Sequence, residues 1–114
     1  MLEHEKKVLN VKVDPKKESY AKGEILRMEV ESVQGAGFYV WRIHGYGQRA
    51  VETKAPQLAI TFKDKSDLSR DPVEIGLGGA PSRINFKICV SAFDSHYYYT
   101  LLGEGKFEVS LVCT

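Results

Sequence analysis

The sequence lacks most of the features that mark a specialised class of protein. It has only two cysteines in 114 residues, Cys89 and Cys113, which are too few for a disulfide framework. Its formal net charge is only +1, whereas dedicated nucleic-acid binders carry a marked excess of basic residues. We therefore expect free thiols in a reducing, cytoplasmic setting and no nucleic-acid partner.

Long apolar stretches are missing as well. No run approaches the roughly 20 apolar residues that a membrane-spanning helix needs. The first seven residues, Met-Leu-Glu-His-Glu-Lys-Lys, are charged and lack the apolar core of a secretory signal. Because 43% of the residues are hydrophobic, the chain has enough apolar surface for one core, and we expect residues 1–114 to form a single domain.

The sequence does contain a repeated pattern of period two. Apolar and polar residues alternate over residues 9–13, 26–31, 84–91 and 106–111, as in strands with one buried and one solvent-exposed face. Residues 38–43 are apolar at most positions, which predicts a central strand covered on both sides. No segment has a helical pattern of useful length. The sequence therefore predicts an all-β fold, an antiparallel β-sandwich of eight strands.

Residues 84–111 resemble the C-terminal part of a C2 domain. In that family an apolar strand leads into an Asp-x-Asp loop, and an apolar pair, a glycine and an alternating strand follow. The same order occurs here without a gap in Val90-Ser-Ala-Phe-Asp-Ser-His-Tyr-Tyr-Tyr-Thr-Leu-Leu-Gly-Glu104. The resemblance extends more loosely over the earlier chain, except for residues 58–70, and it implies a C2-like sandwich.

The same resemblance indicates that the metal chemistry of the family is missing. Where C2 domains that bind Ca²⁺ place three carboxylates in this last loop, the chain has Ala92, Asp94 and Thr100. The first loop, residues 32–38, contains no aspartate. Because Ca²⁺ takes about six to eight oxygen ligands, we expect no calcium site. The histidines have no partners at metal-ligand spacing, so we expect no other metal and no cofactor.

The loop nevertheless remains a candidate binding site. Its candidate residues are Asp94, His96, Tyr97, Tyr98 and Tyr99. Three consecutive tyrosines cannot all point inward, so at least one ring should be exposed. Tyrosine offers a large, rigid contact area with a polar tip, and such loops bind partner proteins or enter lipid headgroups. The alternative is that the rings pack as a lid over the open end of the sandwich.

A second candidate site is a basic strand face. It consists of Arg42, Arg49, Lys54 and Lys87. By resemblance to C2 domains, such a concave face would bind the phosphates of phosphoinositide headgroups. The alternative is an ordinary solvated face, because Glu29 and Glu52 are interleaved with the basic residues.

We therefore expect a non-catalytic interaction module, a degenerate, Ca²⁺-independent C2-like domain of a larger scaffold protein. It would bind a protein partner through the loop end or an exposed strand edge. One alternative is docking to membrane phospholipid without Ca²⁺. Another is an immunoglobulin-like or PKD-like sandwich with a structural or adhesive role, with which Trp41 and Cys89 are compatible. Asp94 and His96 have no nucleophile or oxyanion motif beside them, so we expect no enzyme.

Overall fold

The fold consists of strands in the parts of the chain that the computed structural model describes, residues 7–94 and 100–112. In chain order the strands are β1 (Lys7–Val8), β2 (Lys12–Asp14), β3 (Tyr20–Ala21), β4 (Ile25–Glu29), β5 (Ala36–Gly45), β6 (Gly47–Thr53), β7 (Gln57–Lys63), β8 (Val73–Gly76), β9 (Arg83–Asp94) and β10 (Leu101–Val112). The all-β prediction is confirmed. The described residues form ten strands, however, where the sequence predicted eight.

The ten strands form two sheets that pack against each other. Sheet A has the order β1-β10-β9-β5-β6, and β3 also pairs with β10. Sheet B has the order β2-β4-β7-β8. Buried side chains from both sheets belong to one core cluster, so the β-sandwich is confirmed. The pairing is mixed rather than purely antiparallel, because β1 and β3 run parallel to β10 and β8 runs parallel to β7.

The two additional strands come from residues 7–21. The alternation at residues 9–13 predicts one strand, but the chain changes sheets twice in this region. It pairs with β10 in sheet A at β1, crosses to β4 in sheet B at β2, and returns to β10 at β3. Each contact is only two or three residues long. The segment therefore lies along one side of the sandwich and joins the two sheets.

The glycines of the Leu-Leu-Gly-Glu-Gly segment make room for this first crossing. Leu9 is buried, and its backbone N–H donates to the carbonyl oxygen of Glu104 at 2.9 Å. A Cβ atom at Gly105 would overlap the carbonyl oxygen of Leu9, and one at Gly103 would lie 3.0 Å from the carbonyl oxygen of Lys7. Side chains at these positions would push the N-terminal segment off β10, so close backbone approach requires glycine here.

The core is built on alternating residues of the two central strands of sheet A. The inward residues are Tyr39, Trp41 and Ile43 of β5 and Ile84, Phe86, Ile88, Val90 and Ala92 of β9. Trp41 is fully buried, and its indole N–H donates to the Thr53 hydroxyl at 2.9 Å, so that no polar group is left unpaired in the ring. Phe86 meets Phe62 of sheet B with ring centroids 4.9 Å apart.

The prediction that residues 38–43 are covered on both sides is wrong at one position. Arg42 is exposed on the outer side of β5, while Phe38 and Val40 on that side are half-buried. Among residues 7–94 and 100–112 no second sheet lies over the outer side of sheet A, and Arg42 is exposed to solvent there.

We expect Tyr20→Phe to destabilise the fold. The buried Tyr20 hydroxyl donates to the carbonyl oxygen of Pro15 at 2.6 Å and accepts the N–H of Lys17 at 3.0 Å, which holds the turn before β3. Its removal leaves both groups unpaired and should lower the free energy of unfolding, measured in urea, by about 1–2 kcal/mol.

The matched control is Tyr46→Phe. The Tyr46 hydroxyl is more exposed and makes one bond, at 3.3 Å to the carbonyl oxygen of Gly78. Its loss should cost less than about 0.5 kcal/mol, because water replaces the bond. Equal losses in the two variants would contradict the role assigned to Tyr20.

Candidate functional site

The outer face of sheet A carries the side chains that alternate with the core. Four rows are defined by the register of β5 and β9: Phe38 opposite Phe93, Val40 opposite Ser91, Arg42 opposite Cys89, and His44 opposite Lys87. Directly opposite residues of an antiparallel pair lie on the same side of the sheet. These rows therefore form one continuous surface, which is apolar at one end and polar at the other.

The apolar end consists of Phe38, Val40, Phe93 and Leu101, which we call the loop-end patch. The Phe38 and Phe93 rings are stacked, with centroids 5.3 Å apart and planes at 17°. Leu101 of β10 lies opposite Phe93. All four side chains are half-buried, and none belongs to the core cluster or to the half-buried side chains packed against it. The patch is therefore a half-buried apolar area on the side of sheet A that faces away from sheet B.

The predicted binding loop begins and ends at this patch. Asp94 is the last residue of β9 and is half-buried, and its N–H donates to the carbonyl oxygen of Thr100 at 3.1 Å, which closes the base of the loop. His96, Tyr97, Tyr98 and Tyr99 lie outside the described residues. The chain places them between Phe93 and Leu101, so the tyrosine segment is attached to both sides of the loop-end patch.

The structure brings two of the four predicted basic residues onto the outer face of sheet A. Arg42 and Lys87 lie in neighbouring rows, and Lys106 of β10 lies opposite Cys89 in the same row as Arg42. Three glutamates share the face: Glu52, Glu104 and Glu108. The alternation of residues 106–111 could have indicated Lys106. The polar end of the face therefore has mixed charge.

Arg49 does not share this face. It lies opposite Ile43, a buried residue of β5, and therefore on the inner side of sheet A. Its guanidinium donates to the carbonyl oxygens of Tyr46 at 2.8 Å and Gly76 at 3.1 Å, which ties the β5–β6 turn to the end of β8. Lys54 follows the last residue of β6 and is exposed. The four predicted residues thus do not converge on one anion site.

A groove of about 600 Å³ lies on another part of the molecule. It is lined by three strands of sheet B, the start of β8, the end of β6 at residues 51–53 and the loop at residues 68–71. Charged residues of both signs line it, among them Arg27, Glu29, Arg70 and Asp71. It offers room for a side chain or a small ligand but no dominant charge.

Neither part of the described chain contains a cluster of three His, Cys, Asp or Glu side chains that would hold a metal ion. Cys89 is a free, half-buried cysteine on the outer face. Among residues 7–94 and 100–112, no helix is long and apolar enough to cross a membrane.

The sequence matches no protein-family model, and neither a curated protein nor a solved structure matches the chain. The outer face of sheet A and the strand edges are therefore the features of this chain that can indicate its function.

The loop between β7 and β8 lies against the outer edge of β8. Asp67 and Glu74 exchange two backbone hydrogen bonds of 3.0 Å. The Asp67 carboxylate accepts the Ser69 hydroxyl at 2.6 Å and the Ser69 N–H at 3.1 Å, and Arg70 lies 3.4 Å away. These contacts, the Ser69 hydroxyl first, hold the pKa of Asp67 below its ordinary value of 3.8.

We expect Ser69→Ala to raise the pKa of Asp67 in an NMR titration of its carboxyl carbon. A carboxyl with a lowered pKa stabilises the folded loop above its ordinary pKa, and this stabilisation is lost as the pH falls through the folded pKa. The loop should therefore loosen at a higher pH in Ser69→Ala. Ser69→Thr, which keeps a hydroxyl, is the control and should titrate as the native protein does. An unchanged titration in Ser69→Ala would contradict this account.

Proposed function

We propose that this chain is a non-catalytic interaction module that binds a protein partner through the loop-end patch. One observation carries the proposal: a stacked pair of half-buried phenylalanines, Phe38 and Phe93, lies on the outer face of sheet A and outside the core. Aromatic side chains dominate the energetics of protein interfaces, because they remove a large apolar area from water with little loss of side-chain entropy.

The surroundings of the patch support the same proposal. The tyrosine segment at residues 97–99 lies in the connection between β9 and β10, the two strands that contribute Phe93 and Leu101 to the patch. Tyrosine is favoured at surfaces that bind proteins. The next rows carry Arg42 and Lys106 together with Glu52 and Glu104. An apolar centre beside a polar rim of mixed charge is the usual composition of a protein–protein interface.

The mixed charge favours a protein partner over an anionic membrane. Attraction to acidic lipids grows with the number of basic residues near the surface. The face offers Arg42, Lys87 and Lys106, but Glu104 and Glu108 lie directly opposite Ser91 and Lys87 on the neighbouring strand. Docking to phospholipid through this face remains the second candidate function, supported by the tyrosine segment and by the cluster of three basic residues.

We further propose that the module is closer to an immunoglobulin-like sandwich than to a C2 domain. The order β10-β9-β5-β6 in one sheet and β2-β4-β7 in the other corresponds to strands G-F-C-C′ and A-B-E of an immunoglobulin variable-type domain. The buried Trp41 on the strand that corresponds to C supports this. β8 departs from the pattern, because it follows β7 and runs parallel to it.

The characteristic disulfide of antibody domains does not fit this chain. That bond joins the two sheets from inward-facing positions. Cys89 lies opposite Arg42 on the outer face, so its thiol points away from sheet B. The inward neighbours of Cys89 are Ile88 and Val90, and apolar packing takes the place of the covalent link between the sheets.

We expect Phe93→Ser, and replacement of residues 95–99 by a Gly-Ser segment, to abolish partner binding. The immobilised protein and its variants would be incubated with cell extract, and the bound proteins quantified by mass spectrometry. A true partner should bind the native protein. The amount of it that is captured should be lower by about tenfold or more with both variants, as expected when an interface anchor is lost. The identified partner would then be titrated by calorimetry.

Ile25→Ser is the matched control, because Ile25 is an exposed apolar residue of sheet B. Partners that are lost equally in Ile25→Ser, or retained in Phe93→Ser, would contradict the proposal. Sedimentation with vesicles containing acidic phospholipid provides the second arm. Binding that requires acidic lipid and is lost in Arg42→Glu would replace the protein-partner proposal with membrane docking.

A further inference from the structure

Most of the sheet edges are protected among the residues that the structure describes. An open edge presents unpaired N–H and C=O groups that can pair with another chain, so proteins shorten or cover it. At β8 the edge is covered by the backbone bonds between Asp67 and Glu74. At β10 the short strands β1 and β3 pair with the edge near its two ends, at residues 103–104 and 111–112. The β2 edge is three residues long and is followed by Pro15.

The edge formed by β6 has none of these protections. Gly47–Thr53 is seven residues long and pairs with β5 in a regular register without a bulge. Within residues 7–94 and 100–112 it pairs with no other strand, and its backbone makes no hydrogen bond outside that ladder. The strand contains no proline and no lysine. It therefore presents an unpaired edge of about 23 Å, the last three residues of which also line the groove described above.

The chemistry of this edge determines what can cover it. A row of backbone donors and acceptors at strand spacing is matched by another extended backbone. We propose that a second copy of this chain pairs with β6, edge to edge and antiparallel, about a two-fold axis through Ala50. A two-fold axis perpendicular to the sheet keeps the inner faces of both copies on one side, so residues of equal orientation must lie opposite each other.

The sequence of β6 suits pairing with itself in this register. With Ala50 opposite Ala50, the smallest side chain of the strand apart from Gly47 lies on the axis. Gln48 faces Glu52 of the second copy on the outer side, so an amide can donate to a carboxylate. Arg49 faces Val51 on the inner side. No two like charges lie directly opposite each other, which would be destabilising in a strand pair.

The Arg49 guanidinium does not obstruct the pairing. It is already bonded to the carbonyl oxygens of Tyr46 and Gly76 within its own copy. The positive charge of Arg49 is thus held against β8 of its own copy and not at the β6 edge. Gln48, Ala50 and Glu52 are exposed and available to the second copy.

The assembly would have a functional consequence. Pairing of the two β6 strands joins both copies of sheet A into one continuous sheet, and their outer faces become a single surface. That surface would carry two loop-end patches related by the two-fold axis. A partner with two matching sites could then bind bivalently. The dimer itself does not depend on the proposed function of the patch.

Sedimentation equilibrium of the purified chain tests the proposal. An interface made of one strand pair is small, so we expect a reversible monomer–dimer equilibrium. Its dissociation constant should lie between about 1 and 500 micromolar. Ala50→Lys places two like charges opposite each other and should weaken the dimer by about fivefold or more. Gln48→Lys places a lysine opposite Glu52 of the second copy and should leave the dimer as strong or stronger.

Ala21→Lys is the matched control, because Ala21 is an exposed alanine in β3, which lies at the opposite edge of sheet A from β6. It should leave the equilibrium unchanged. A chain that is monomeric at every concentration would overturn the proposal, and so would a dimer that Ala50→Lys does not weaken. An equal weakening of the dimer by Ala50→Lys and Ala21→Lys would overturn it as well.

Disulfide cross-linking supplies a readout that is independent of added charge. In a Cys89→Ser, Cys113→Ser background, Ala50→Cys should form a covalent dimer with oxidised glutathione. Opposite residues of an antiparallel pair have Cα atoms about 4.5–5.5 Å apart, which is within the range of a disulfide. Ala21→Cys should remain monomeric. Failure of Ala50→Cys to cross-link faster than Ala21→Cys would overturn the proposed register.

Discussion

The alternation of β9 is the constraint on which the rest of the structure depends. Ile84, Phe86, Ile88, Val90 and Ala92 all point into the core. A slip of one residue would bury Lys87 and expose Phe86, so the register of this strand is strongly specified. Since β9 pairs with both β5 and β10, its register also determines which of their residues reach the outer face. The loop-end patch and the mixed-charge rows follow from that single register.

Alternation predicted the strands well wherever one face is buried and the other is wet, as in residues 84–91 and 106–111. It could not predict the path of residues 9–21, because their partners are set by the distant strands β10 and β4. The sequence also could not predict on which side of sheet A the Arg49 side chain lies. Gln48-Arg-Ala-Val-Glu has no clear alternation, and the side of an edge strand is decided by its neighbour β5.

In the candidate site, too, the sequence predicts some features and others depend on distant strands. Phe93 is on the non-core side of an alternating strand, which the sequence indicates. Phe38 and Phe93 form the last pair of the regular β5–β9 register before the irregularity at Ala36, and their stacking depends on the pairing of two strands that are far apart in the sequence, which no local pattern reveals. The Leu-Leu-Gly-Glu segment, which resembles the C2 family, has a local explanation in the close approach of the N-terminal segment to Gly103 and Gly105. A motif required by packing is weak evidence for a family.

The outer faces of the two sheets carry different kinds of side chains. On sheet B, Lys12 lies opposite Glu29 and Asp14 lies opposite Arg27, so charges of opposite sign meet across the strands. On sheet A, the outer face ends in stacked rings and aliphatic side chains, and its last strand, β6, is the long edge without cover. Burial of apolar surface by a partner lowers the free energy, and an open strand edge can exchange its hydrogen bonds with water for bonds to another strand. The binding functions proposed for this protein therefore belong to sheet A.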